Sequence, residues 1–354
     1  MREIAAQAGV SKNTVSLALR GDRSIPPPTR DRICAIADRL GYRPNALVAQ
    51  LLSQLRSQRG PGFQAKLALF NAHREATAFR THATIPAYVA GCRRRGAQLG
   101  YDFDEFWLRD PALRGDALLR VLRARGIRGA IVVGLMDHHQ LPAHFAPVWQ
   151  ALPCVVTGVR TRDPALSFAS VDHHDLVVQA FERALALGYR RPALVLEQRI
   201  DRLVEGRFTG AMLTAQQALP ARRRVPAFLE VEAARTDRSR FAAWFRRHRP
   251  DVLLSLYNVV FPWLAELGRR VPDDVGVIQL EWRAGHAEVA GMNQHNDAVG
   301  EAAVDMVVGQ LHRNECGVPA FPRATLIGAS WVDGSSVKPQ AEKADDRSRA
   351  QSAS

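Results

Sequence analysis

Apolar residues in the first forty positions recur three and four apart, which is the spacing of one face of an α-helix. Gly9 interrupts the first run, because glycine tolerates the left-handed backbone at the end of a helix. Ser11 suits the N-cap of a second helix, since its hydroxyl can accept a hydrogen bond from an otherwise unpaired N–H. Val15, Ala18 and Leu19 form the apolar face of that helix. The pattern therefore predicts two short helices joined by a tight turn.

A third helix is predicted between Pro26 and Gly41, because proline is tolerated in the first helical turn and glycine ends the run. Three helices of this size can share one small core. On the second helix, Lys12, Asn13 and Ser16 are left pointing outward. Two helices, a tight turn and polar side chains at the start of the second helix are the pattern of a helix-turn-helix, which enters the major groove of DNA.

After residue 62 the pattern changes to short apolar runs that alternate with helical segments. Runs of this kind are typical of buried parallel strands, and their alternation with helices predicts an α/β fold with doubly wound parallel sheets. The segment 168–172 is expected to be an edge or crossing strand. The predicted strands are 66–71, 101–107, 129–134, 153–157, 168–172, 193–197, 228–232, 252–257, 275–280 and 289–292, and helices are predicted at 88–99, 117–125 and 176–187.

Composition places the chain among globular proteins of two or three domains, with 354 residues of which 47% are hydrophobic. The net charge of +13 favours an anionic partner, although a general preference for arginine would produce the same excess. The four cysteines are far apart and lack metal-binding spacing, so we expect small buried side chains in a reducing compartment. The sequence contains no apolar signal segment and no long apolar run, and we therefore expect a cytoplasmic protein without a membrane partner.

The N-terminal module resembles the lactose/galactose repressor (LacI) family in motifs that keep the family's order and spacing: EIAAQAGVS at 3–11, TVS at 14–16, TR at 29–30 and LGYRPN at 40–45. The resemblance covers the whole module. It implies a homodimer whose paired modules bind a near-palindromic operator in double-stranded DNA. Such a protein would regulate transcription under the control of a small-molecule effector, and repression is the expected outcome.

The resemblance also implies which residues contact DNA. Base contacts are expected from Lys12, Asn13 and Leu17, since lysine can donate to guanine and asparagine can pair with adenine. Leu17 departs from the arginine that is commoner in the family, which favours contact with a thymine methyl group. Contacts with the DNA backbone are expected from Ser11, Thr14, Ser16, Thr29, Tyr42 and Asn45.

The short apolar helix predicted after residue 45 is similar to the family's hinge helix, which folds when two copies meet in the minor groove. Leu51 matches the leucine that inserts between base steps and kinks the duplex, with Val48 beside it in the groove. Val48 and Ala49 stand where alanine and arginine are usual, so a phosphate contact is lost. The alternative is that Leu51 is buried in a domain contact, as apolar helix residues usually are.

The alternating region resembles the periplasmic-binding-protein fold of the same family, in which two doubly wound halves are joined by crossings, here near residues 171, 295 and 322. In that fold 298–311 returns to the first half and 324–327 adds a late strand to the second. The implied plan is a helix-turn-helix domain at 1–44, a hinge helix and linker at 45–62, an effector-binding and dimerisation domain at 63–337, and a disordered tail at 338–354.

Ligands of open α/β sheets bind outside the carboxyl ends of the strands. Arg207 lies in an Arg-x-x-Gly motif that supplies an effector-clamping arginine in the family, and Glu281 stands where aspartate is usual. Carboxylate, amide, guanidinium and indole groups suit a polyhydroxylated ligand, so a carbohydrate is expected. Each residue could instead form a surface ion pair or a cap. The expected effector-binding residues are Asp137, Arg207, Asn258, Glu281, Trp282 and Gln294, with Asn296 as an alternative to Gln294.

Two histidine clusters, at 137–139 and 172–175, raise the alternative of a metal site or a hydrolase. Adjacent residues on a helix point in different directions, and helical metal ligands prefer spacings of three or four. We therefore expect no metal, no cofactor and no enzyme activity, and Asp172 suits a helix N-cap. A further alternative is a solute-binding module, which would not need residues 1–59.

Met1 falls inside the first predicted helix. This predicts either a translation start further upstream or a first helix without an N-cap.

Overall fold

The N-terminal module consists of three short helices that share a small apolar core. The structure, a computed structural model, describes residues 2–19, 24–40 and 65–340. The helices are α1 (Arg2–Ala8), α2 (Lys12–Leu19) and α3 (Pro27–Arg39). Ile4, Val15 and Ile33, one from each helix, are almost completely buried together. The predicted apolar faces of the three helices therefore meet as expected.

The turn between α1 and α2 has the predicted local chemistry. Gly9 adopts a positive φ of 63°, a conformation that glycine tolerates better than other residues. The Thr14 backbone N–H donates to Ser11 Oγ at 3.0 Å, which confirms Ser11 as the N-cap of α2. The Arg32 guanidinium donates to the Ala8 carbonyl at 3.0 Å and ties α3 to the end of α1.

Residues 65–340 form two sheets, each with helices on both faces. The strands are β1 (Ala65–Asn71), β2 (Tyr101–Trp107), β3 (Ile127–Val133), β4 (Cys154–Thr157), β5 (Ser167–Val171), β6 (Pro192–Val195), β7 (Val252–Ser255), β8 (Gly276–Gln279), β9 (Gly291–Asn293), β10 (Ala324–Ile327) and β11 (Ser330–Val332). The helices are α4 (Ala78–Thr81), α5 (Ile85–Leu99), α6 (Gly115–Ala124), α7 (Ala146–Ala151), α8 (His173–Ala186), α9 (Gln198–Leu203), α10 (Arg207–Gln216), α11 (Val231–Thr236), α12 (Ser239–His248), α13 (Val260–Glu266) and α14 (Asn296–His312).

The first sheet has the order β10-β5-β4-β3-β1-β2, and all of its neighbouring strands are parallel. The second has the order β11-β9-β8-β7-β6, in which only β11 runs antiparallel to its neighbour among the strands described. The chain leaves the first sheet after β5, returns after β9 through α14, and crosses once more between β10 and β11. We call the part built on the first sheet the first subdomain and the other part the second subdomain.

Helix α14 is held tightly against α5 because glycine stands on both helices at their closest approach. A Cβ atom added to Gly91 would lie 1.9 Å from the Asp297 carbonyl oxygen, and one added to Gly300 would lie 2.1 Å from that of Tyr88. The Cys92 thiol also donates to the Gly300 carbonyl at 3.3 Å. This packing fixes α14, and the crossing that leads into it, on the first subdomain.

Four sequence-based expectations need correction. The segment 324–327 forms β10 in the first sheet, not the second, because it pairs with β5 along its whole length, so the last crossing falls after Ile327 and not near 322. With β10 on one side and β4 on the other, the segment 168–172 is not an edge strand, but the chain does cross to the second sheet directly after it, which is the other expectation.

The predicted strand at 228–232 forms only isolated bridges at Phe228 and Glu230. Its chain turns into α11, whose Val231 is buried against the core of the second subdomain. The predicted disordered tail begins too early, because Lys338 pairs with Asp273 at 2.5 Å and the Gln340 N–H donates to the Leu187 carbonyl. Residues 341–354 lie outside the described residues.

No helix in the described ranges combines the length and the apolar character needed to cross a bilayer.

Candidate functional sites

The candidate DNA-contacting surface lies on α2. Leu17 is partly exposed on this helix, between the buried residues Val15 and Ala18. Thr14 is also partly exposed, and its hydroxyl lies 2.8 Å from the exposed Ser11 Oγ. Thr29 is partly exposed in the first turn of α3. Leu17, Thr14, Ser11 and Thr29 are therefore available at the surface of the module.

Several of the predicted DNA-contacting positions cannot be placed. Lys12, Asn13 and Ser16 belong to α2, but their side chains lie outside what the structure describes. Four further predicted positions, in and before the predicted hinge helix, also lie outside the described residues: Tyr42, Asn45, Val48 and Leu51.

A cleft between the two subdomains is bridged by direct contacts from loops at the carboxyl ends of strands. Arg199 on α9 pairs with Asp137, which follows β3, at 3.0 Å. Glu205 pairs with Arg162 at 2.8 Å. The ring of His139 has Nδ1 2.7 Å from the Arg160 carbonyl and Nε2 3.3 Å from that of Arg202. The two subdomains are therefore in contact across the cleft.

Glu281, two residues after the end of β8, forms the most buried of these bridges. Its Oε1 accepts a hydrogen bond of 2.7 Å from the Thr84 hydroxyl of the first subdomain. Its Oε2 pairs with Arg283 at 2.9 Å, and Arg283 also donates to Thr84 Oγ1 at 3.2 Å. The Glu281 side chain is only 15% exposed. A carboxylate, a guanidinium and a hydroxyl thus close one end of the cleft.

Beside Glu281 lie polar atoms that are buried without a hydrogen-bond partner in the described part of the chain. They are Gln279 Oε1, Trp282 Nε1 and Asn296 Oδ1. The nitrogen of each of the two amides is engaged: Gln279 Nε2 donates to Asn258 Oδ1 at 2.6 Å, and Asn296 Nδ2 lies 3.4 Å from Glu281 Oε1. Leaving a buried polar atom unpaired costs about 1–3 kcal/mol. One donor and two acceptors of this kind suit the hydroxyl groups of a ligand.

Gln294 is placed differently from these residues. Its side chain is buried, and its Nε2 donates to the Leu280 carbonyl at 2.8 Å. This bond supports the loop that carries Glu281 and Trp282. Asn296, the alternative to Gln294, is the residue that has an unpaired oxygen.

Arg207 lies in a separate part of the cleft. It begins α10 directly after Gly206, which has a φ of 74°, and its guanidinium lies 4.0 Å from Asp172 Oδ1. The cavity beside it, next to Ser170 and His173, measures about 10 Å³. That is the space of about one water molecule. In this conformation Arg207 faces Asp172 and not the cluster around Glu281.

Asp137 lines a wider opening of about 680 Å³ together with residues of α9. Its carboxylate is shared between Arg199 and Arg109, which lies 3.6 Å away. The predicted effector-binding residues are thus divided among three places: the opening at Asp137, the crossing at Arg207, and the polar cluster from Asn258 to Asn296.

The histidine clusters have structural neighbours. Asp172 accepts a hydrogen bond from the Asp175 N–H and caps α8, as predicted. His173 packs on Phe208, and its burial, reinforced by the positive charge of Arg207, lowers its pKa to about 4. Within the described ranges, no group of three or more histidine, cysteine, aspartate or glutamate side chains is arranged to hold a metal ion.

Sequence reasoning missed Thr84, Arg283, Arg199 and Gln279. Gln279 could have been noticed as the one polar residue in the apolar run 277–280. Thr84 stands at the N-cap position of α5 but makes no side-chain capping bond, so its hydroxyl is available to Glu281. Contacts between residues so distant in sequence, such as Thr84 and Glu281, leave no local sequence pattern from which they could be predicted.

Comparison with known proteins agrees with this architecture. The sequence profile described as "Bacterial regulatory proteins, lacI family" matches residues 1–45. A second profile, "Periplasmic binding protein-like domain", matches residues 181–337. The chain belongs to the LacI family of bacterial regulatory proteins.

Relatives of this LacI-family chain are transcriptional regulators. The HTH-type transcriptional regulator PtxS of Pseudomonas putida is 26% identical over 351 residues, which cover 96% of each chain. The HTH-type transcriptional regulator GalS of Salmonella typhimurium is 44% identical over 55 residues, 16% of each chain. The LacI-family chain is accordingly a DNA-binding transcriptional regulator and not an enzyme.

Solved structures share the fold of this regulator. A complex of the transcriptional regulator CelR with cellobiose has a TM-score of 0.56 and 19% identity, and covers 94% of this chain and 98% of its own. The lac repressor dimer bound to operator and the anti-inducer ONPF has a TM-score of 0.53 and 19% identity, covering 95% and 98%. The α/β architecture with an N-terminal helix-turn-helix is therefore that of the family.

Proposed function

We propose that this regulator binds its operator as a homodimer and that a small hydroxyl-rich molecule, of the carbohydrate class, controls its affinity for DNA. In this proposal Lys12, Asn13 and Leu17 contact bases in the major groove. The residues that hold the DNA backbone are Ser11, Thr14, Ser16, Thr29, Tyr42 and Asn45, and Leu51 and Val48 enter the minor groove. The structural neighbours solved with cellobiose and as a dimer bound to operator support the carbohydrate class and dimeric DNA binding.

The proposed division of the chain follows from this function. Residues 1–44 bind DNA, residues 45–62 form the hinge and linker, and residues 63–337 bind the effector and dimerise. The described crossings after β5 and β9 support a cleft that can open and close between the subdomains.

The observation that carries the effector site is the set of buried unpaired atoms at Gln279, Trp282 and Asn296. The indole N–H can donate to a ligand hydroxyl, and the two amide oxygens can accept from others. A site built to hydrogen-bond hydroxyl groups discriminates strongly against molecules that lack them, because its own buried groups would then stay unpaired. Asn258 orients the Gln279 amide and Glu281 orients the Asn296 amide, in each case by accepting from the amide nitrogen.

Effector control would act through the bridges across the cleft. Thr84 and Asp137 belong to the first subdomain, whereas Glu281 and Arg199 belong to the second. A ligand with greater affinity for the closed cleft shifts the population toward it, and the spacing of the subdomains changes with it. Arg207 would contact the ligand from beside Asp172, where the chain crosses between subdomains, and Asp137 would contact it from the opening of the cleft.

The test uses the full chain. Operator duplexes are selected from a random-sequence library, and binding of the selected duplex is followed by fluorescence anisotropy while monosaccharides, disaccharides and sugar acids are added. We expect a shared near-palindromic motif and at least one hydroxyl-rich compound that changes operator affinity about tenfold or more.

Trp282→Phe, which removes the indole N–H, should weaken that compound's binding about tenfold. Trp331→Phe is the control, because the Trp331 indole donates to Asp333 and not to the cluster. Undiminished ligand affinity in Trp282→Phe would contradict the proposed site, and selection of no common motif would contradict the operator proposal.

A further inference from the structure

A second concentration of positive charge lies outside the DNA-binding module. Residues 1–59 hold ten basic and four acidic side chains, so they carry +6 of the chain's net +13, and the remaining residues carry +7. The segments 190–191, 222–224, 246–251 and 269–274 alone contain ten arginines and three aspartates. We call these four segments the arginine edge. Their net charge of +7 equals the net charge of all residues outside the DNA-binding module.

The arginine edge forms one surface. Three of its segments directly precede strands β6, β7 and β8 of the second sheet, and the fourth, 222–224, is hydrogen-bonded to the segment before β6. The Arg191 guanidinium, just before β6, donates to the His248 carbonyl at 2.5 Å and to the Arg249 carbonyl at 3.1 Å, and it also bonds the Arg222 carbonyl. The segments at 249–251 and 269–274 lead into β7 and β8. The edge therefore lies at the amino ends of parallel strands, opposite the cleft.

The carboxylates of the arginine edge are already engaged. Asp251 accepts from the backbone N–H groups of Arg190 and Arg191 at 2.7 and 2.8 Å. Asp274 accepts from the Arg270 N–H at 2.9 Å, and Asp273 pairs with Lys338 at 2.5 Å. These bonds hold the three carboxylates in place, and the ten arginines of the edge still exceed them by seven charges.

Three arginines of the edge, together with Asp251 and Asp274, line a cavity of about 570 Å³. Arg246, Arg249 and Arg269 are exposed at its wall and form no hydrogen bond or ion pair through their guanidinium groups within the described part of the chain. Phe245 and Leu267 contribute apolar surface to the same cavity. Its volume is in the range of small-molecule sites, which span about 300–1,000 Å³.

A purely structural role explains only part of this arrangement. Arginines in the last turn of α12 interact favourably with the helix dipole, which accounts for Arg246. Arg269 comes from the loop after α13, however, and gains nothing from that dipole. Arg249 holds a positive φ of 45°, an uncommon conformation for a residue other than glycine. The positive potential is also felt by His248, whose pKa is lowered by burial and by the charges of Arg247 and Arg191.

We propose that this cavity binds a small phosphorylated compound, with Arg246, Arg249 and Arg269 holding its phosphate groups. The planar guanidinium fork matches the spacing of two phosphate oxygens, and such charge-assisted bonds are about twice as strong as neutral ones. The apolar surface of Phe245 and Leu267 accommodates the organic part of the compound. The site is separate from the proposed effector cleft and does not depend on it.

The test measures binding of pyrophosphate to the full-length protein by calorimetry at constant ionic strength. The pocket variant combines Arg246→Gln, Arg249→Gln and Arg269→Gln. The matched control combines Arg120→Gln, Arg123→Gln and Arg128→Gln, which remove the same charge from exposed positions of the first subdomain. We expect wild type and control to bind pyrophosphate equally and the pocket variant to bind at least about tenfold more weakly. Equal weakening in both variants, or no binding by the wild type at millimolar concentration, would overturn the proposal.

Two further measurements distinguish loss of the phosphate site from loss of folding and from loss of a DNA-backbone surface. Thermal unfolding without ligand must give similar Tm values for the two variants, and single substitutions replace the pocket variant if its Tm falls. Affinity for a non-operator duplex is measured in parallel, because DNA phosphates share the same chemistry. Loss of duplex binding in the pocket variant with pyrophosphate binding intact would overturn the proposal and identify the edge as a DNA-backbone surface.

Discussion

Thr84 Oγ1 donates to Glu281 Oε1 across a sequence separation of 197 residues and joins the two subdomains directly. Thr84 stands where its hydroxyl would ordinarily cap α5, yet it makes no capping bond. The same hydroxyl accepts from Arg283, so it both donates and accepts within one partly buried group. In the proposed mechanism, contacts of this kind transmit ligand occupancy to the spacing between subdomains.

Replacing Thr84 with valine should therefore weaken effector binding, because the closed cleft that the proposed effector selects loses this bond. Valine keeps the shape but removes the donor to a carboxylate, and such a bond contributes about 1.5–3 kcal/mol. A decrease in affinity of roughly tenfold or more follows, measured by calorimetry with the compound found by the operator screen. Thr214→Val is the control, because among the described residues the Thr214 hydroxyl bonds only the Gly210 carbonyl within α10. Equal losses in both variants would argue against the bridge.

Arg207→Ala should abolish the response of operator binding to the effector while sparing operator affinity in its absence, if the effector is an inducer. Arg207 lies against Asp172 at the crossing between subdomains, where a bound ligand would compete for its guanidinium. Operator titrations with and without effector measure the response. Arg120→Ala, an exposed position on α6, serves as the matched control. A response that survives in Arg207→Ala removes this residue from the proposed site.

Asn13→Ala should change base preference at a single operator position. An asparagine that pairs with adenine through two hydrogen bonds discriminates by about 1–3 kcal/mol against the wrong base. Binding to a set of operators with every base at each position gives the measurement. The same loss at every sequence would instead indicate a phosphate contact, and Thr29→Ala should produce that uniform behaviour.

His173 predicts a dependence of stability on pH. Its pKa is lowered from 6.5 to about 4, so the unfolded state binds more protons than the folded state between these values. The contribution of the neutral ring to the free energy of unfolding is complete above pH 6.5 and is lost as the pH falls toward 4. About 2 kcal/mol of it is lost by pH 5. Urea unfolding of wild type and His173→Phe at about pH 7.5 and pH 5 measures the part of this pH dependence that is due to His173.

The difference between wild type and His173→Phe is the informative quantity, because other histidines titrate in both proteins. The wild type should lose more free energy of unfolding than the variant on acidification. Identical losses would show that His173 is not kept neutral by the fold.

Local features of the fold were predictable because their causes lie within a few residues. The Gly9 turn, the Ser11 cap and the Asp172 cap each depend on backbone conformation and one nearby hydroxyl or carboxylate. Strands β1 and β3 follow from apolar runs that are buried over most of their length. Periodicity and capping therefore determine the elements and their order.

Long-range placement could not be predicted in the same way. A strand as short as β10 carries no information on which sheet it joins, and its partner β5 lies more than 150 residues earlier. The apolar segment at Phe228 has the composition of a strand but pairs at isolated points only. Thr84 and Gln279 enter the candidate site through partners far away in sequence, so the site's unpaired atoms became visible only in three dimensions.

The contact between α5 and α14 yields the last prediction, a matched pair of glycine substitutions. Gly300→Ala places a methyl group 2.1 Å from the Tyr88 carbonyl oxygen, and rigid backbone on both helices leaves it no space. Overpacking of this kind costs about 1–3 kcal/mol or more. Gly210→Ala, inside α10, meets nothing within 4 Å and should stabilise the protein by about 0.4–1 kcal/mol, because alanine has less freedom to lose on folding. Denaturant unfolding should therefore shift in opposite directions for the two variants, and a neutral Gly300→Ala would mean that α14 can move away from α5.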